Sequence, residues 1–184
     1  RYGRRQRQMC IRDSTDTYRG DGNQDYMRFN VATTFTRAAE EALIDVESSI
    51  HVGARGPTND SGVFNHTRDV GYGLIDSTEL FNAGLRNTAK NIVESLKGRS
   101  VYLCFDMDFF DPSCAPGVCT PTWGGATSRE GLDFLQNLTG LNLVGADINT
   151  VSPPHDISGM TAFLAATVGL EILSVICHSK GLVE

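Results

Sequence analysis

The sequence has cysteines without a cysteine pattern. Cys10, Cys104, Cys114, Cys119 and Cys177 are odd in number and include no CxxC pair. Neither a disulfide framework nor a thiolate zinc site is therefore signalled, which weighs towards a reducing, cytoplasmic setting. The chain also lacks an apolar run of the roughly 20 residues that a membrane span requires. The nearest approach, MTAFLAATVGLEILSVIC, is interrupted by Glu171 and reads as a buried helix, so no membrane association is expected. There is no GxGxxG, no phosphate loop, no internal repeat and no linker. With 40% hydrophobic and 21% charged residues in 184, neither a disordered nor a fibrous chain is indicated, and one domain with a real core is expected.

Positive charge is scarce outside the first fourteen residues. RYGRRQRQMCIRDS is basic, aperiodic and without an initiator methionine, and it contrasts with everything after it. Without it the chain retains 11 basic against 21 acidic side chains. Such a body disfavours nucleic acid and suits cationic ligands. Residues 1–14 are accordingly read as a foreign, adapter-like head and set apart from the fold, leaving 15–184 as the body.

From Thr15 onward helical and strand-like patterns alternate. ATTFTRAAEEALI (32–44) has helical spacing and precedes the strand-like SSIHVGARG. GYGLIDS is a weaker strand. STELFNAGLRNTAKNIVESLKG predicts a helix capped by Ser77, with Leu80, Leu85, Ile92, Val93 and Leu96 on one face and Gly98 at its end. VYLCFDMD is a buried strand. TSREGLDFLQNL predicts a short helix capped by Thr127 or Ser128, NLVGADINTVS another strand, and 160–177 a last apolar helix. Buried strands alternating with helices imply an α/β fold, a parallel sheet with helices on both faces, whose ligands gather at the carboxyl ends of the strands.

Those ends carry carboxylates. Asp106 and Asp108 close the strand VYLCFDMD; two positions apart on a strand, they would share one face. Like charges that close repel unless a cation lies between them, so the pair points to a divalent metal, with capped or salt-bridged strand-end aspartates as the bland alternative. Asp147 lies towards the end of the next strand, and Asp111, ahead of Pro112, reads as a loop cap. Among the histidines, His51, His66 and His178 read as ordinary core or surface residues. His155, in a loop after a strand's carboxyl end, is the candidate for proton transfer. Trp123 and Phe109 could stack on a flat cation. Cys114 and Cys119 read as reduced residues and not as ligands.

The run from FDMDFFDPSCAPGVCTPTWGG through ATSREGLDFL to GADINTVSPPHD resembles the second half of the ureohydrolase family, the arginases and agmatinases, and the similarity extends back through HVGARGP to TDTY. The resemblance implies a three-layer α/β/α parallel fold, incomplete here at its N-terminus. It also implies a pair of divalent metal ions, usually manganese, whose bridging hydroxide attacks a guanidinium carbon and releases urea. Carried over residue by residue, Asp106 matches the aspartate that bridges both metals, Asp108 one that binds the second, and Asp16 the last aspartate of D-A-H-x-D. The chain departs from that motif with Arg12 and Ser14 in place of its first aspartate and histidine, and the upstream G-G-[DN]-H histidine is absent. This fragment is therefore expected to be inactive, and its longer parent to be the enzyme.

Two further departures bear on substrate. Thr150 stands where the family usually has a glutamate that pairs with the guanidinium, and Val31 where it has a histidine. The pattern is most similar to the guanidine hydrolase branch, often labelled agmatinase, which prefers nickel. The expected partner is a small cationic guanidino compound, guanidine first and agmatine second, surrounded by Thr150, Asp147 and Trp123, with Asp106 and His155 as catalytic residues. The family also implies a trimer or hexamer. The rival readings are a non-catalytic family member and an amide hydrolase that kept the carboxylates. With Asp16, Asp106 and Asp108 but no histidine ligand, the chain should not hold two ions at stoichiometric occupancy, because three carboxylates leave two coordination shells open. Equilibrium dialysis against manganese and nickel checks this; two tightly bound ions per chain would overturn it.

Overall fold

The computed structural model describes residues 7–11, 14–21, 25–58 and 62–182. Its frame is a five-stranded sheet of β1 (Arg7–Ile11), β2 (Ile50–Ala54), β3 (Gly73–Asp76), β4 (Ser100–Asp106) and β5 (Asn142–Asn149). The strands run in the order β3-β2-β1-β4-β5 and every pair is parallel. The helices are α1 (Asp25–Arg28), α2 (Thr34–Glu40), α3 (Val63–Val70), α4 (Ser77–Ala83), α5 (Leu85–Ser95), α6 (Ser128–Gln136) and α7 (Met160–Ser179). The α/β class with a parallel sheet is as expected. Within the segment set apart as a head, however, Arg7–Ile11 belongs to the fold: it is the middle strand, paired on both sides, with Met9 and Ile11 fully buried. A five-residue stretch between basic residues shows no measurable alternation, so only the neighbouring strands reveal it.

β4 separates two cores. Val101, Leu103 and Phe105 project into the larger one, where α4, α5, α6 and α7 supply Leu80, Ile92, Phe134 and Val168. Cys104 projects to the other face, against Phe35 of α2, Tyr72 and Val70 of α3. His51 sits edge-on between Phe35 and Tyr72, at ring separations of 5.1 and 4.9 Å, as a packed core residue. Burial on both faces is why VYLCF reads as an unbroken apolar run.

Local corrections have clear causes. The single helix expected over 77–97 is two, broken at Gly84 with φ of +82°, and the cap is Asp76, which exchanges hydrogen bonds with Glu79 in a capping box. Residues 31–33 form a 3-10 turn before α2, capped by Asn30. Thr127 caps α6 through a capping box with Glu130. α3 is a further helix, one that the sequence pattern does not announce. The last helix is less buried than its composition promised. Thr161, Val168, Ile172 and Val175 are covered, but Met160, Phe163, Leu170 and Leu173 are exposed, Phe163 by 76%. By length and composition alone α7 could cross a bilayer, yet it packs on β5 and α6 as the flanking helix of a sheet does.

Gly131 shows how closely α6 is docked. A Cβ there would come within 2.1 Å of the ring of Phe110, itself fully buried among Phe105 and Phe109. Gly131→Ala should therefore destabilise the chain by about 1–3 kcal/mol despite the better helix propensity of alanine. Urea unfolding checks this; an unchanged or raised midpoint would show that the ring gives way freely.

Candidate functional site

The strand order places a reversal between β1 and β4: after β1 the chain winds outward through β2 and β3, then returns to β4 and winds the other way to β5. Parallel sheets open a crevice at the carboxyl ends of the two strands flanking such a reversal. Here β1 leads to Asp16 and β4 ends at Asp106. A cavity of about 520 Å³ lies there, lined by Asp16, Tyr18, Arg55, Asp108, Thr120 and Thr150 among others.

Each carboxylate arrives by a different device. Asp16 follows β1 in a segment moored by three buried hydroxyls: Thr15 and Thr17 lie 2.8 Å apart, Thr17 and Thr67 of α3 2.6 Å, and Thr67 donates to the Thr15 hydroxyl at 3.1 Å. Its backbone carbonyl accepts from Phe35 N at 3.1 Å. Asp106 is the last residue of β4, 1% exposed, with the Cys104 thiol 4.0 Å from Oδ1. Asp108 is not on the strand. It occupies a 3-10 turn, Met107–Phe109, and is 2% exposed. The shared-face argument for the pair is thus replaced by a tight turn, which keeps both carboxyl groups at the strand's end by a different route. Thr120 Oγ1 donates to Asp108 Oδ2 at 3.3 Å, and Asp108 N donates to Thr150 Oγ1 at 3.3 Å.

Two cavity residues hold left-handed backbone: Asp16 at φ +47° and Thr150 at φ +68°. An aspartate tolerates this region, but a β-branched threonine is an outlier there, and such strain persists only where surrounding contacts enforce it. They do: Cys119 N donates to Thr150 O at 3.0 Å, Val118 bridges Val151, and Ser152 N donates to Gly117 O at 2.7 Å.

Of the other residues singled out in the sequence, Val31 and Cys119 line the cavity, and Asp147, Trp123, His155 and Phe109 do not. Asp147 pairs with Cys104 across β5 and β4; it accepts from Asn149 Nδ2 and from the Tyr102 hydroxyl, whose pKa this hydrogen bond, with burial, pushes up to about 12. Trp123 is 75% exposed, so it does not close over the site as expected. His155 is exposed in a 3-10 turn, Pro153–His155, with Nδ1 2.7 Å from Ser152 Oγ. Phe109 is core. Cys114 and Cys119 are unbridged, and burial raises the Cys114 thiol. Val31 lines the cavity, whereas Arg12 falls outside the described residues. Sequence reasoning missed the threonine mooring and Arg55, whose guanidinium donates to backbone carbonyls in the site. Only the presence of Arg55 within the HVGARGP segment hinted at a role.

Asp111 braces the loop that carries these groups. Its carboxylate accepts from Ser113 N at 2.9 Å and Gly124 N at 2.9 Å, and the bonds from Ser113 above all hold its pKa below the usual carboxylate value. A depressed folded pKa means that the stabilisation is present above the unfolded pKa and is lost as pH falls through the folded one. Asp111→Asn should therefore cost about 1 kcal/mol near neutrality, with wild type and variant converging in acid below the folded pKa. Urea unfolding in both pH ranges tests this; a gap that stays constant would refute the assignment.

The comparisons agree with this geometry. The Arginase family profile matches residues 15–174. The chain is 36% identical to a guanidinobutyrase from Pseudomonas aeruginosa over 78% of its length and 45% of the relative's. It is 35% identical to a guanidinopropionase from the same organism, covering 91% and 51%, and 35% identical to an agmatinase from Neisseria meningitidis, covering 86% and 48%. The chain thus spans about half the length of these curated relatives. Among solved structures, proclavaminate amidino hydrolase from Streptomyces clavuligerus superposes with a TM-score of 0.85 at 31% identity, over 95% of this chain and 56% of that one. Arginase from Bacillus caldovelox shares the fold, with a TM-score of 0.77 at 23% identity, over 94% of this chain and 60% of that one. A parallel sheet with aspartates at its switch point, matched over nearly all of the body, makes this chain a member of the arginase family of ureohydrolases.

Proposed function

We propose that this chain contributes the carboxylate half of the active site of a metal-dependent ureohydrolase that releases urea from a small guanidino cation, free guanidinium first and agmatine as the alternative. The observation that carries the reading is that Asp16 and Asp108 line one cavity at the carboxyl ends of β1 and β4, with Asp106 buried as the last residue of β4. The names of the relatives, which act on guanidino compounds, support the substrate class.

Asp16, Asp106 and Asp108 offer oxygen donors of the kind that hard and borderline divalent cations take, manganese or nickel among them. They do not complete a shell: among the described residues no group of three or more His, Cys, Asp or Glu side chains gathers closely enough to hold an ion. The other ligands of a two-metal centre would have to come from outside the described residues. When bound, such ions supply a hydroxide nucleophile at neutral pH, which a resonance-stabilised guanidinium requires.

The protein's own residues do the rest. Asp108 is held at the cavity wall through Thr120 and Thr150, so its carboxylate is presented without rearrangement. Thr150 brings one neutral hydroxyl, already engaged with the turn, where a carboxylate would bind a guanidinium through charge-assisted bonds typically worth about 1.5–3 kcal/mol. That loss is tolerable for a cation small enough to be enclosed, and it favours guanidinium over tailed substrates.

In a chain extended to the length of its relatives, urea release should be fastest, per kcat/KM, with guanidinium and with nickel loading, ahead of agmatine, arginine and guanidinobutyrate. Asp106→Asn should abolish it, while Asp111→Asn keeps most of it. Urea assays after separate nickel and manganese loading decide the matter: a tenfold or larger advantage for agmatine would establish the alternative, and equal losses in the two folded variants would show the carboxylates wrongly assigned.

A further inference from the structure

The loop from the end of β4 to α6 carries Asp108, Asp111 and Thr120, and Arg55 ties it to the end of β2. Arg55 directly follows β2 and is 8% exposed. Its Nη2 donates to the carbonyl oxygen of Asp108, to that of Phe110 at 3.2 Å and to that of Thr122 at 2.9 Å, and Nε donates to Thr122 O at 3.2 Å. One guanidinium therefore joins the turn that holds a carboxylate to the far limb of the same loop. The fit leaves no slack: a Cβ on Gly125 would meet Arg55 Nη2 at 2.7 Å, and one on Gly56 would meet Thr122 Cγ2 at 2.4 Å.

We propose that Arg55 is a positioning residue of the ureohydrolase site, a clamp that fixes the Asp108 turn against the Thr120–Thr122 limb and so sets where the Asp108 carboxylate points. The inference rests on the metal reading above for its purpose but not for its geometry. Asp108 is gripped from two sides: Arg55 takes its carbonyl, while Thr150 accepts from its N–H and Thr120 donates to its carboxylate. Nη2 reaches carbonyls on both limbs and Nε adds a second bond to Thr122 O, a rigid planar arrangement that a lysine ammonium on a flexible stem reproduces only in part. Partners that orient a ligand from outside the coordination shell typically govern metal affinity by about 10–100-fold.

The test uses the 184-residue chain with Arg55→Met, which keeps bulk but no donors, and Arg55→Lys, which keeps charge. Hydrogen exchange read by mass spectrometry should show peptides within 107–126 exchanging about tenfold faster in Arg55→Met and to an intermediate degree in Arg55→Lys, with α5 and α7 unchanged. The amides of Asp111, bonded to Ala126 O, and of Ala126, bonded to Phe109 O, are the direct reporters. Any weak manganese affinity, read from the electron paramagnetic resonance of the free ion, should fall by about tenfold in Arg55→Met, with part of the loss recovered in Arg55→Lys. Unchanged exchange in 107–126, or equal acceleration throughout the chain, would overturn the clamp. If Arg55→Met does not fold, the pattern in Arg55→Lys decides by the same criteria. If the wild-type chain binds no manganese, as its incomplete carboxylate shell allows, the exchange response alone decides the clamp, and the metal reading is decided separately by the urea assay on the extended chain.

Discussion

Asp106 and Asp108 are nearly sealed from water two residues apart, and the rest of the structure is organised around that fact. Burying a carboxylate costs several kcal/mol unless hydrogen bonds or opposite charge compensate it, and a second one nearby adds repulsion. A chain keeps such an arrangement only where the surrounding backbone is rigid enough to hold it. Rigidity comes here from the strand before the pair, packed on both faces, and from the loop after it, which is cross-linked by Arg55, Asp111 and the strained Thr150.

The sheet supplies the location. Because β1 and β4 flank the reversal in strand order, their carboxyl ends share a crevice, and Asp16 and Asp108, 92 positions apart (108 − 16), line one cavity there. The site joins parts of the chain with different tasks. The segment after β1 brings Asp16 on a threonine mooring, β2 brings Arg55, and the loops after β4 and β5 bring Asp108 and Thr150. The carboxylates are therefore fixed by backbone and hydroxyl contacts, while the cavity they line stays open towards Val31, Phe64 and Tyr18.

The far side of the molecule is organised differently. α7 buries one stripe on β5 and α6 and presents Phe163, Leu170 and Leu173 outward, and Val144 on the edge strand is half exposed. This apolar surface belongs to a chain that spans about half the length of its curated relatives. The hydrophobic content of α7 is consequently greater than its packing within these residues uses.

What the sequence determined by itself was local and periodic. The alternation of buried runs with amphipathic segments fixed the parallel α/β class, Thr127 and Ser128 ahead of an amphipathic run marked the start of α6, and the aspartates after an apolar strand marked the carboxyl end as the chemical end. Only the tertiary structure decided the matters that depend on neighbours. It made Arg7–Ile11 the central strand, because five residues acquire a strand's identity from the hydrogen bonds of β2 and β4. It split the long helix at Gly84 and put Asp108 on a turn. It removed Trp123, His155 and Asp147 from the cavity they were expected to line, and it brought in Arg55, Thr15, Thr17 and Thr67, whose roles rest on partners 50 or more residues away. A side chain's partner across that distance is set by how the chain crosses the sheet, and no spacing along the sequence records it.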